Sequence, residues 1–162
     1  MKKSQIRCIV GNALVHLASI LILSFMSLNL IEGIGGNSIY AGITNLAGAT
    51  GPNIAFYIVA NAFYILALIL TIAMLIESAL GLFGGIFDIR SLNMTTANRT
   101  LSIITMLSAL FSLIFMIVYI TTATIAGAAT VGAGPITVFL ASVLAVVGAF
   151  VAQSRRIYKE SR

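Results

Sequence analysis

The stretch Pro52–Ile76 reads PNIAFYIVANAFYILALILTIAMLI, twenty-five residues without a charge, and it is closed by Glu77. At about 1.5 Å per residue, a helix of this length crosses a hydrocarbon core of about 30 Å with some tilt. Asn53, Tyr57, Asn61, Tyr64, Thr71 and Ser78 recur along it at steps of 4, 4, 3, 7 and 7, so they share one helical face. Lipid offers nothing that would gather hydrogen-bonding side chains in this way. The stretch is expected to be one helix of a bundle, with its polar face turned toward other helices or toward water.

The rest of the chain obeys the same solvent. Of its 162 residues 60% are hydrophobic and 8% are charged, against roughly 25% charged in soluble domains. Mean hydropathy is +1.11. So few charges cannot build a water-facing surface, and the length suits a single domain, 1–162. The one cysteine, Cys8, excludes an intrachain disulfide.

Four spans are expected. The first runs from Cys8 to about Ile31, some twenty-four residues without a small-residue cleavage site, too long for the 7–15-residue apolar region of a secretory signal. Residues 32–51 are rich in Gly, Ser, Asn and Thr and reverse the chain, and Pro52 suits the first position of span two, 52–76. After Glu77 the chain stays apolar to Phe87. There the helix either continues past the interface, the preferred reading, or is loosened by Gly81, Gly84 and Gly85. Span three covers about 100–122, residues 123–134 connect without a charge, and span four covers about 135–152.

Charge placement orients the spans. Lys2, Lys3 and Arg7 precede span one, Arg90 and Arg99 lie between spans two and three, and Arg155, Arg156, Lys159 and Arg162 follow span four. All nine basic residues fall on one side of this topology, so segments 1–7, 77–99 and 153–162 and both termini are expected in the cytoplasm, with 32–51 and 123–134 outside. The fold class is therefore an all-α integral membrane protein, an antiparallel bundle of four transmembrane helices in a cell membrane. The basic segments are also candidates for contact with anionic lipid headgroups, at about 1 kcal/mol per cation near the surface. Their dispersal argues against nucleic acid. The sequons at Asn93 and Asn98 should stay bare on the cytoplasmic side.

The chain also echoes itself at an offset of 83. Ile6-Arg7 meets Ile89-Arg90, Gly51-Pro52 meets Gly134-Pro135, and Glu77-Ser78 meets Glu160-Ser161. Either a two-helix hairpin was duplicated in parallel, or a chain rich in Ile, Leu and Ala matches itself by coincidence.

Candidate functional residues are the polar stripes: Asn12, His16 and Ser19 in span one, Asn53, Tyr57, Asn61, Tyr64 and Thr71 in span two, and Thr105, Ser108 and Ser112 in span three. They pack helices together or line a wet path. Ala141, Ala145, Gly148 and Ala149 give span four a small-residue face suited to close approach. His16, the lone histidine, is either a proton relay or a neutral imidazole bonded to a neighbouring helix. Glu32 and Glu77 are expected at span ends with carboxylates in water, leaving no carboxylate mid-span. Were Glu77 inside the bilayer, Arg90 or Arg99 would be its partner.

No H-E-x-x-H, C-x-x-C, G-x-S-x-G or phosphate-binding glycine loop occurs, so neither an enzyme nor a cofactor or metal is expected. Four spans with inner termini is a layout shared by unrelated families and selects none of them. Two functions remain. The preferred one is a scaffold or accessory subunit of a membrane assembly working through helix association, with a second copy or another membrane protein as partner. The other is a pore, channel or small-solute transporter subunit.

Overall fold

The computed structural model describes residues 3–32, 37–38, 54–89, 95–122 and 130–152. Four helices carry most of them: α1 (Lys3–Phe25), α2 (Ile54–Ile86), α3 (Thr95–Thr122) and α4 (Ala133–Val151). Each is long and apolar enough to cross a membrane. At 23, 33, 28 and 19 residues they measure about 34, 50, 42 and 28 Å. Packing is most extensive between α2 and α3 and between α1 and α4, and the α1–α2 and α3–α4 contacts close a ring of four.

The α1–α4 seam is made of small residues. A Cβ at Gly148 would stand 2.8 Å from Leu14 Cβ and 2.9 Å from the Val15 backbone nitrogen, and one at Gly11 would overlap the backbone of Ala152. Backbones therefore touch here, which is how helices gain packing energy where no hydrophobic effect drives them together. The α2–α3 seam is aromatic instead. Tyr57 lies 5.1 Å from Tyr119 between ring centroids, and Phe63 lies 5.3 Å from Phe111. Val15, Ile22, Met26, Tyr64, Met74, Met116 and Val138 fill the interior between these seams. Large aliphatic side chains such as Leu17, Ile69, Ile72, Ile114, Leu140 and Val147 face outward, as lipid contact requires.

One helix end differs from the sequence reading. Helix α1 stops at Phe25 rather than near Ile31. The Ser27 hydroxyl donates to the Ser24 carbonyl at 2.7 Å and Leu28 N to Phe25 O at 3.0 Å, so a tight turn ends the helix. Beyond it the chain extends as β1 (Asn29–Glu32), flanked by β2 (Asn37–Ser38) and β3 (Thr130–Val131) in the order β2-β1-β3. Both pairings are antiparallel, and Ile31 stands opposite Val131. Helix α2 continues unbroken through Gly81, Gly84 and Gly85, in agreement with the preferred reading of that stretch as helix. It ends where Asp88 takes a left-handed conformation (φ 55°) and Ile89 N donates back to Gly84 O at 2.9 Å. That is a Schellman closure, at a residue type that tolerates positive φ.

Candidate functional site

The polar stripes face the inside of the bundle. Asn12, Ser19, Tyr57, Asn61, Tyr64, Thr71, Thr105, Ser108 and Ser112 are all buried, while His16 is half-buried at the edge of α1. Several meet the membrane's demand for internal hydrogen bonds by donating one turn back. Asn61 Nδ2 binds Tyr57 O at 2.8 Å, Thr71 Oγ1 binds Ala67 O at 2.7 Å, and Ser19 Oγ binds Val15 O at 2.9 Å. Asn53, Lys2, Arg90, Arg155, Arg156 and Lys159 lie outside the described residues, as do Asn93 and Gly51-Pro52. Lys3 opens α1, and Arg7 is exposed on it.

One layer joins α1, α2 and α3. Asn12 Nδ2 donates to Cys8 O at 2.9 Å, which turns its Oδ1 outward to accept Asn98 Nδ2 at 2.9 Å. Only glycine at 81 leaves room for this pair, since a Cβ there would lie 2.5 Å from Asn12 Oδ1. One turn along α1, His16 Nδ1 lies 3.1 Å from Ser78 Oγ, whose hydroxyl donates to Leu75 O at 3.0 Å. Whether Nδ1 donates to Ser78 Oγ or accepts from it follows the ring tautomer. Gln5 Nε2 ties the same two helices by donating to Gly85 O at 2.9 Å.

Arg99 closes the layer on the α4 side. Its Nε donates to Ala149 O at 3.0 Å and its Nη2 to Ala152 O at 3.1 Å, with the guanidinium 5.1 Å from the centroid of Phe150. A cation at the carbonyl end of a helix satisfies orphan acceptors and the helix dipole together. Of the basic residues expected near headgroups, Arg99 thus also serves as the cap of α4.

Glu77 precedes Ser78 on α2 and is half-buried. It is residue 24 of the 33 in α2, and His16, level with it, lies nine residues beyond Arg7 on α1, a rise of about 13.5 Å. Its Oε2 is buried without a hydrogen-bond partner, as is Asn98 Oδ1. A second group of orphaned atoms sits farther along α2 and α3: Asn61 Oδ1, Tyr64 OH and Ser112 Oγ. Phe63 packs on Phe111 and Phe115, so Tyr64 and Ser112, the next residues on the buried faces, share a level.

Set against known protein families, curated proteins and solved structures, the chain matches none of them. Its function has to be argued from the layer itself. Sequence reasoning found Asn12, His16 and Ser78 by their helical spacing. It marks Asn98 only as a sequon, and its preferred reading, a helix continuing past Gly81, Gly84 and Gly85, matches α2 without showing that Gly81 and Gly85 meet α1. Asn98 is fully buried and bonded to Asn12. Its signal was present but unused, because a polar amide three residues into the reach of an apolar span extends the stripe of Thr105 and Ser112 by seven.

Proposed function

We propose that this chain is a non-enzymatic integral membrane protein that passes a small polar solute or ion along the axis of its bundle, as a channel or transporter subunit. The observation that carries this reading is the set of five orphaned buried atoms strung along the inward faces of α2 and α3. Orphaned groups of this kind in an apolar setting are costly unless water or a ligand visits them. Polar side chains inside a membrane bundle either bond helices together or line a wet path, and these five atoms bond nothing.

The reading takes the bundle as antiparallel. The pairs Gln5–Gly85, Asn12–Gly81 and His16–Ser78 support this for α1 and α2, and Tyr57–Tyr119 and Phe63–Phe111 support it for α2 and α3. The one-sided placement of all nine basic residues supports cytoplasmic termini in a cell membrane. With Arg7 at one interface and the end of α1 at the other, the His16–Glu77 level falls near the middle of the bilayer. A duplicated hairpin would equate residues 29–32 with 112–115, a strand with part of α3, so duplication carries none of this reading. Favouring transport over a scaffold is that the small and polar stripes, the natural seams for helix association, are used inside the chain.

Cysteine scanning in a Cys8→Ser background tests the proposal. Cysteines at 61, 64, 71 and 112 are expected to react with a small membrane-impermeant thiol reagent, and cysteines at 58, 69 and 72 to stay protected. Uniform protection of the first set would return the scaffold reading.

A further inference from the structure

We propose that the hydrogen bond between Asn12 and Asn98 is a closed gate across the axis of the bundle, at the end that the basic residues assign to the cytoplasm. The gate rests on the transport reading, because it regulates the same route.

The four helices form a ring in which α1 packs on α2 and α4, and α3 packs on α2 and α4. Helices α1 and α3 are therefore diagonal, their direct packing is sparse, and a line joining them crosses the axis. Asn98 Nδ2 on α3 donates to Asn12 Oδ1 on α1 at 2.9 Å, a direct bond with no water between the partners. Side chains thus span the axis at this level. The seams beside the bond are shut as well. A Cβ at Gly81 of α2 would lie 2.5 Å from Asn12 Oδ1, and one at Gly11 of α1 would overlap the backbone of Ala152 at the end of α4. Arg99 ties α3 to α4, its Nε donating to Ala149 O at 3.0 Å and its Nη2 to Ala152 O at 3.1 Å. The contacts come from the consecutive pairs Gly11-Asn12 and Asn98-Arg99, so they belong to one layer.

Closure by amides differs from closure by packing. Two apolar side chains would shut the axis and leave nothing unsatisfied. Here Asn98 Oδ1 is buried with no hydrogen-bond partner among the described residues, a state that costs free energy and that water would relieve. Asn12 is anchored to its own helix, Nδ2 bonding Cys8 O at 2.9 Å, so Asn98 is the member that swings. Once parted, both amides offer wettable groups to the axis. The backbones need not follow, because the glycine contacts of α1 and the Arg99 cap hold them in place. One broken hydrogen bond, offset by hydration of the orphaned oxygen, keeps an open state within reach of the closed one. Ser112, whose Oγ is another orphaned atom, lies fourteen residues farther along α3, behind this closure.

The test uses the full chain in proteoliposomes, with Cys8→Ser and the reporter Ser112→Cys, and a small membrane-impermeant thiosulfonate supplied to one face at a time. Asn98→Ala removes the bridge. It is expected to speed labelling of the reporter on the order of tenfold from the face that carries the termini, and to leave labelling from the opposite face unchanged. Asn12→Cys with Asn98→Cys makes the closure switchable, since Cd2+ is a soft ion that bridges two thiolates. Cadmium should slow labelling from the termini face, EDTA should restore it, and neither should act when only one of the two cysteines is present. An Ile69→Cys reporter, at a lipid-facing position, should stay protected in Asn98→Ala. A reactive reporter whose rate from the termini face ignores both Asn98→Ala and cadmium overturns the gate and keeps the transport reading. An equal gain from both faces, or at Ile69→Cys, also overturns it and leaves the amide pair as a structural bond. A Ser112→Cys reporter that reacts from neither face in any variant removes the transport reading and the gate together.

Discussion

Changing Gly148 to alanine measures how closely α1 and α4 touch. The new Cβ would stand 2.8 Å from Leu14 Cβ, 2.9 Å from Val15 N and 3.0 Å from Gly11 O. Comfortable carbon contacts lie at about 3.5–4.0 Å, so the helices must part locally by roughly 0.7–1 Å, which forfeits a quarter to a half of each contact's attraction. Two of the three neighbours are backbone atoms and cannot rotate away. The cost should therefore fall in the upper half of the about 1–3 kcal/mol typical of overpacking. Gly85→Ala is the control. Its Cβ would also meet an atom at 2.8 Å, but that atom is Ile9 Cγ1, on a side chain that can change rotamer, and the next neighbours are at 3.7 Å. This variant should lose less than about 1 kcal/mol. Equilibrium unfolding in mixed micelles with rising dodecyl sulfate would compare the two. If they fall within about 0.5 kcal/mol of each other, the size of an ordinary surface effect, the backbone-contact argument is wrong.

Asn12→Leu should cost about 1–3 kcal/mol by orphaning Asn98 Nδ2, and Asn98→Leu a similar amount. A double-mutant cycle over the pair should return a coupling of about 0.6–2 kcal/mol, and additive losses would deny the bond. Arg99→Ala removes the donors to Ala149, Phe150 and Ala152. Amide exchange in the last turn of α4 should then accelerate, with Arg99→Lys only partly protective because an ammonium lacks the planar fork. Unchanged exchange in the alanine variant would show that the cap is idle.

The four spans were legible because charge exclusion is a strong, local signal, and the inward stripes because helical spacing is fixed by geometry. What escaped the sequence depended on partners far along the chain. Nothing local in SFMSLNLIE marks Phe25 as a helix end. The strand that follows exists because Ile31 finds Val131, a hundred residues on. The sequence carries the helix on through Gly81, Gly84 and Gly85, but nothing local in it says that Gly81 and Gly85 are where α1 comes close.

The α1–α4 seam also sets a timetable for synthesis. The first helix to emerge receives its closest partner last, since Gly11 must wait for Ala152 and Leu14 for Gly148. At about 5–20 residues per second, α1 spends several seconds or more in the bilayer with its small-residue face uncovered. During that interval the residues that Asn12 meets on α2 and α3, Gly81 and Asn98, are already in the chain. The last helix then closes on an assembled wall, and Arg99 meets its carbonyls only on arrival. A chain halted before α4 would present that open face to the membrane's quality-control machinery.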